Sequence, residues 1–202
     1  MMFIDNRDIQ SMKIEEVVKR IINFNKCLND FWSNAHGWAP LEAAQLLSKS
    51  RLDWQVSLSK CLKLWIQNNN EDIENESGRL ILAWANLGSL VEGTMKLFLS
   101  IFYKDYKDDI DAIRKGDKLI DPDVLDLERM RHFFKKRIWE ENYKWDEWVL
   151  HVQHRRNAIH AYRNREIGTF EEYYKDLRNY LLFLRYHNER FPYPDEVNIP
   201  RF

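Results

Sequence analysis

Residues that break regular structure are scarce in this sequence. The 202-residue chain has only six glycines and five prolines, too few for the many tight turns of an all-β protein. Hydrophobic residues make up 45% of the chain and charged residues 31%, a balance typical of a folded protein and not of a disordered one. The scarcity of turn residues therefore favours long helices, and the length fits a single domain over residues 1–202.

Cysteine and long apolar segments are also rare. The two cysteines, Cys27 and Cys61, stand far apart without a metal-binding or redox spacing, so we expect reduced thiols. The most apolar run, from Leu80 to Gly93, is interrupted by Asn86 and Ser89 and falls short of a membrane span. The first ten residues carry charge where a secretion signal would be apolar. These features predict a cytoplasmic protein with no membrane segment.

The hydrophobic residues recur with a period close to 3.6, the spacing of one helix face. From Leu80 to Phe102 large apolar side chains return every three or four residues, which predicts the central helix of the core. Thr169 and Glu172 have the spacing of a capping box, which marks the start of the final helix. The predicted helices lie at 13–32, from Pro40 to about Gln67, from about Arg79, from an Asp121 cap to about Trp139, from about Trp145, and from Thr169.

These segments predict an all-α bundle of about five or six helices, joined mostly by short connections. Residues 104–120 are charged and weakly periodic, so we expect a mobile connection there with one or two helical turns. Prolines from about residue 192 onward exclude a helix and predict an extended tail.

Positive charge is concentrated in one part of the chain. The net charge is −1 at pH 7, yet residues 129–165 contain ten lysines and arginines against four acidic residues. Such a region either attracts an anionic partner such as RNA or forms an ordinary solvated surface. Its first part, residues 129–137, combines cations with Phe133 and Phe134, which either stack on bases or belong to the core.

The stretch HVQHRRNAIHAY, residues 151–162, combines the groups needed to cut RNA without a metal. That reaction needs an activated ribose 2′-hydroxyl, neutralised phosphoryl oxygens and a protonated leaving oxygen. Histidine exchanges protons near neutral pH, so His160 is the candidate general acid or base. Arg155 stays charged and is the candidate phosphate clamp, because its guanidinium can hold two phosphate oxygens. Arg156 and Asn157 are candidate supporting groups.

Residues after the histidine are candidate contacts to RNA. Tyr162 is suited to hold a phosphate or a base, and Arg163 and Arg165 are suited to phosphate contacts. Residues five apart on an α-helix differ by about 140°, so Arg155 and His160 share a face only if the helix ends or bulges between them. Two copies related by a dimer axis would supply the missing convergence, which predicts a homodimer.

The helix predicted from about Trp145 also contains residues that could form a metal site. Glu147, His151 and His154 fall on one helix face and have side chains that can bind a metal. A di-metal site would need a matching Glu-x-x-His on a second helix, and the sequence has none. We therefore expect a polar stripe there, with neither a metal nor a cofactor.

The segment RRNAIHAY resembles the Arg-x4-His motif of the HEPN superfamily, and with its tyrosine it is similar to the Arg-x4-His-x-Tyr motif of HepT-type toxins. Arg155, His160 and Tyr162 match the motif. Arg156 stands where the family usually has Asn, Asp or His, so both arginines remain candidates for the leading position. The resemblance implies a HEPN-like helical bundle acting as a dimeric, metal-independent ribonuclease of a toxin–antitoxin or phage-defence system. It also implies that a partner nucleotidyltransferase, serving as the antitoxin, modifies Tyr162 with AMP.

Two functions are compatible with these residues. One is an endoribonuclease that cleaves RNA through 2′-hydroxyl attack at a composite dimer site. The other is a non-catalytic HEPN-like interaction or regulatory protein, such as an antitoxin-like or sensor subunit, which keeps the fold without the chemistry.

Overall fold

The computed structural model describes residues 6–67, 73–160, 162 and 164–194. In this part of the chain nine α-helices dominate, and the one sheet is a two-stranded hairpin. The helices are α1 Asn6–Ser11, α2 Ile14–Trp32, α3 Leu41–Lys49, α4 Leu52–Trp65, α5 Glu76–Ile101, α6 Tyr103–Asp108, α7 Leu127–Arg137, α8 Trp145–Arg156 and α9 Phe170–Asn188. The all-α bundle predicted from the sequence is confirmed. Over these same residues, no helix has both the length and the apolar character needed to cross a membrane.

Helix α5 runs through the centre of the bundle and packs against α3, α4, α8 and α9. Its apolar stripe from Leu80 to Phe98 is buried, as the spacing predicts. Gly88 allows α8 to pass closely, because a Cβ at this position would lie 2.8 Å from the Cβ of Arg156. Around α5, a continuous cluster of packed hydrophobic side chains includes residues from all the helices given above.

The single helix predicted from Pro40 to about Gln67 is wrong, because the chain forms two helices there. Ser50, between α3 and α4, has an extended backbone with ψ 146°. Its hydroxyl donates to the carbonyl of Leu47 at 2.6 Å, and its N–H donates to the carbonyls of Leu46 and Leu47. Serine thus closes the end of α3 with its own hydrogen bonds, which compete with continuation of the helix.

The predicted start of the next helix at Asp121 is also wrong. Residues Pro122–Val124 form only a 3-10 turn, and Leu125, which is buried, returns to an extended conformation. Helix α7 begins at Leu127, where the side chain of Asp126 accepts the backbone N–H of Arg129 at 2.9 Å. Asp126 is therefore the N-cap, as expected of an aspartate before a first helical turn.

The connection between α5 and α7 is more ordered than the sequence suggests. It contains α6 and the antiparallel hairpin of β1, Arg114–Lys115, and β2, Lys118–Leu119. Buried Tyr106 holds the segment in place, since its hydroxyl donates to the carbonyl of Ile120 at 2.8 Å. Strands of two residues are too short to produce an alternating hydrophobic pattern, so periodicity does not predict them.

Helix α9 begins as predicted. The Thr169 hydroxyl accepts the N–H of Glu172 at 3.2 Å, and the Glu172 carboxylate accepts the N–H of Thr169 at 3.1 Å. After α9, Tyr193 packs beside Trp32 of α2, and its hydroxyl donates to the Asn188 side chain at 2.6 Å. The predicted tail thus starts against the bundle, and its remainder, residues 195–202, lies outside the described residues.

Candidate functional site

The sequence motif lies where α8 ends. After Arg156 the chain continues as a 3-10 turn, Asn157–His160. Side chains three residues apart are eclipsed in a 3-10 turn, so Asn157 and His160 lie on one side of it. Ala158 is buried, whereas His160 is exposed. The helix therefore ends between Arg155 and His160, and the turn presents the imidazole at the surface.

Arg155 lies on the buried face of α8. Trp145, Val149 and Val152 form the inner stripe of this helix, and Arg155 follows three residues later on the same stripe. Its side chain is only 8% exposed. A charged side chain is rarely buried to this degree unless it is paired, so its partners determine what it can do.

Two carboxylates and an aromatic ring surround the Arg155 guanidinium. Its Nη2 atom is 3.3 Å from Oε1 of Glu166 and 3.4 Å from Oε2 of Glu172. The guanidinium carbon lies 6.0 Å from the ring centroid of Trp84 on α5. The Nη1 atom is buried and has no hydrogen-bond partner among the described residues. Arg155 is thus neutralised within the protein, with one donor left over.

The segment before α9 encloses this guanidinium. The indole of Trp84 donates to the carbonyl of Ile167 at 2.8 Å. Gly168 follows with φ +69°, and a Cβ there would lie 3.0 Å from the guanidinium carbon of Arg155. Glycine meets both requirements at once, a left-handed backbone and close approach. Arg155 therefore connects α8 to α5 and to the beginning of α9.

Arg156 has a separate partner on α5. Its Nη1 atom lies 2.6 Å from Oε2 of Glu92, and Oε1 of the same carboxylate lies 2.9 Å from Nζ of Lys96. Burial raises the pKa of Glu92, but the hydrogen bonds from Arg156 and Lys96 outweigh it, and the net pKa lies below the usual value. Either candidate for the leading arginine thus already holds a carboxylate of its own chain.

The exposed residues of the predicted site lie at the end of the 3-10 turn and just after it. His160 and Arg165 are exposed, and Tyr162 is 99% exposed. Asn157 is half-buried beside them as the C-cap of α8. Arg163 lies outside the described residues. The fold thus separates the predicted site into an exposed part, with His160 and Tyr162, and a buried part, with Arg155.

A buried carboxylate that the sequence did not indicate lies beside His151, one helical turn before Arg155. Asp176 of α9, 7% exposed, accepts the indole N–H of Trp148 at 2.7 Å and the side-chain amide of Asn179 at 3.0 Å. Its second oxygen lies 3.0 Å from Nε2 of His151. His151 of the expected polar stripe is therefore oriented by α9, and no three potential metal ligands converge within the described part of the chain.

Most of the basic region is neutralised by ion pairs within the protein. Phe133 and Phe134 are buried, so the interpretation of these rings as core residues is confirmed. Asp146, in the first turn of α8, binds both Arg131 and Lys135 of α7. Burial raises the pKa of Asp146, but its hydrogen bonds to these cations lower it by more. Further pairs are Arg129–Asp126, Arg131–Glu128, Lys136–Asp111 and Arg137–Asp109.

No protein-family model matches this chain, and neither a curated protein nor a solved structure matches it significantly. The site therefore has to be interpreted from its own residues. Sequence reasoning missed Glu166, Trp84 and Asp176, and assigned Glu172 only a capping role. The inner stripe of α8 could have revealed that Arg155 is buried, but no local pattern indicates which carboxylates meet it.

Proposed function

We propose that the chain is a HEPN-like, metal-independent endoribonuclease acting as a cytoplasmic homodimer in a toxin–antitoxin or phage-defence system. The observation that supports this most is the end of α8, where a 3-10 turn exposes His160 on the same side as Asn157. An accessible imidazole, with an amide side chain three residues earlier on the same turn, is suited to proton transfer. Exposed Arg165 and Tyr162 follow within a few residues as contacts for the RNA strand.

In this proposal His160 acts as the general acid or base. The ribose 2′-oxygen loses its proton and attacks the adjacent phosphorus, the bond from phosphorus to the 5′-oxygen breaks, and that oxygen gains a proton. The products are a 2′,3′-cyclic phosphate and a 5′-hydroxyl. Two proton transfers need two groups, and a two-fold dimer supplies a second imidazole from the same residue of the other protomer.

The phosphoryl charge requires a cation, and Arg155 is the proposed clamp with Arg156 in support. Arginine can bind two phosphate oxygens at once and remains protonated throughout the reaction. In the described structure Arg155 is bound by Glu166 and Glu172. Binding RNA through Arg155 therefore requires the phosphate to replace at least one of these carboxylates.

The test is cleavage of single-stranded RNA by the purified protein in EDTA. Replacing His160 with alanine should lower the rate at least about 100-fold, the usual minimum for losing an acid or base. The matched control is His154→Ala, since His154 is likewise an exposed histidine and lies six residues earlier, on α8. A folded His160→Ala variant that cuts as fast as the wild type refutes the assignment.

A second candidate function is a catalytically silent interaction protein. It is favoured by one observation, that Arg155 and Arg156 both pair with carboxylates of the same chain. Expression in bacteria separates the two functions. Growth arrest that Arg155→Ala or His160→Ala relieves supports the nuclease, whereas harmless expression without RNA turnover supports the interaction protein.

Modification of Tyr162 is the proposed means of silencing. Its side chain is 99% exposed, so a nucleotidyltransferase antitoxin can reach the hydroxyl. With such a partner and ATP, the intact mass of the wild-type protein should rise by one adenylyl group. The control variant Tyr143→Phe removes another exposed tyrosine, 46% exposed, and should show the same increase. Tyr162→Phe should show no increase, and an increase in that variant contradicts the assignment.

A further inference from the structure

The contact between Glu166 and Arg155 points to regulation of the proposed site. We propose that the Glu166 carboxylate is an internal substitute for phosphate, which keeps Arg155 from binding an oxyanion until a phosphate displaces it. This rests on the proposed function insofar as Arg155 is the phosphate clamp. The ligand class it assigns to the guanidinium is a phosphate monoester or diester group.

The two carboxylates at Arg155 differ in how firmly they are held. Glu172 belongs to the first turn of α9, and its carboxylate also accepts the backbone N–H of Thr169 at 3.1 Å. Glu166 lies in a segment without helix or strand, and its side chain is 86% exposed. Its described contact to Arg155 is 3.3 Å long, whereas strong charge-assisted hydrogen bonds measure about 2.7–2.9 Å. Glu166 is therefore the carboxylate that can leave.

The guanidinium itself has capacity for another ligand. The Arg155 side chain is only 8% exposed, and its buried Nη1 atom has no hydrogen-bond partner among the described residues. Leaving such a donor unpaired is unfavourable. Two oxygens of a phosphate can bind both terminal nitrogens of a guanidinium in parallel. Replacing Glu166 by phosphate would thus satisfy a donor that the carboxylate leaves unpaired.

Departure of Glu166 leaves the rest of the site in place. The next residue, Ile167, stays attached through its carbonyl, which accepts the indole N–H of Trp84 at 2.8 Å. Glu172 remains on Nη2 as part of the capping box. Only the exposed side chain of Glu166 has to turn away, and Glu172 keeps the buried guanidinium of Arg155 paired. The exchange is therefore feasible without unfolding the segment.

The experiment measures the affinity of inorganic phosphate and of a short single-stranded RNA for Glu166→Gln. The matched control is Glu171→Gln, because Glu171 is exposed on the first turn of α9 and has no described ion pair. Both variants change the net charge equally, so general electrostatics is the same. Glu166→Gln should bind phosphate about two- to fivefold more tightly than the control, the range for removing a competing carboxylate that is itself exposed.

NMR of the Arg155 side chain locates the binding site without requiring an Arg155 variant to fold. Phosphate should shift the Nε resonance of Arg155 at lower concentration in Glu166→Gln than in Glu171→Gln. Equal affinities in the two variants, or a gain without any shift at Arg155, overturn the inference. Tighter phosphate binding without RNA cleavage would leave it standing and refute only the nuclease. RNA cleavage by variants with equal phosphate affinities would support the nuclease and refute the role of Glu166.

Discussion

Buried His187 should make the protein sensitive to mild acid. Its side chain is fully buried, Nε2 accepts the indole N–H of Trp139 at 3.1 Å, and Nδ1 donates to the carbonyl of Phe183 at 2.7 Å. The ring is therefore neutral in the folded protein. The pKa of His187 is lowered to about 3, chiefly by burial; the hydrogen bond to Phe183 raises it and nearby Arg190 lowers it.

The magnitude follows from linkage. In the unfolded chain a histidine has a pKa near 6.5, so between pH 6.5 and the folded pKa of about 3 only the unfolded state carries the extra proton. The contribution of His187 to stability is complete above pH 6.5 and decreases by about 1.4 kcal/mol for each pH unit below it. Between pH 7 and pH 5 the free energy of unfolding should fall by about 2 kcal/mol from this residue alone.

Urea unfolding at pH 7, 6 and 5, followed by tryptophan fluorescence, measures this decrease. His187→Gln keeps an acceptor and a donor but cannot titrate, so it should lose about 2 kcal/mol less than the wild type over this range. His36→Gln, at an exposed histidine, should behave like the wild type. The reasoning is refuted if His187→Gln and the wild type lose the same free energy, or if NMR shows the His187 imidazole titrating near pH 6.5.

Three further outcomes test the packing around the site, each by urea unfolding. Gly168→Ala should cost at least about 1–2 kcal/mol because of the left-handed backbone at this residue, and an unchanged stability contradicts the contact described there. Asp176→Ala should cost about 1–3 kcal/mol, since it leaves the half-buried indole N–H of Trp148 without its acceptor; a loss below about 0.5 kcal/mol, as at an ordinary surface position, argues against this pairing. The pKa of Glu92 is lowered on folding despite its burial. The stability that ionised Glu92 contributes is therefore present above its pKa in the unfolded chain, and it is lost as the pH falls through its pKa in the folded protein. The free energy of unfolding of Glu92→Gln should therefore fall less than that of the wild type between pH 5 and pH 3. Equal decreases in the two proteins refute the pairing with Arg156.

Local chemistry explains which features were predictable. The capping box at Thr169 depends on two residues three apart, and the central helix depends on one spacing repeated from Leu80 onward, so neighbouring residues were sufficient. The break at Ser50 and the N-cap at Asp126 were missed because a serine, and the three aspartates between residues 121 and 126, offer competing local hydrogen bonds. Which of them formed was decided by packing.

The sequence by itself determined that this chain is a helical bundle, where its final helix begins and which side chains have the chemistry to act on RNA. Helix periodicity and caps involve residues within one or two turns of each other, so these features are encoded locally. Only the tertiary structure decided that Arg155 is buried against Trp84 and held by two glutamates, while His160 faces solvent. Those contacts join α8 to α5 and α9, and the close packing of helices that creates them depends on the shape of the whole core.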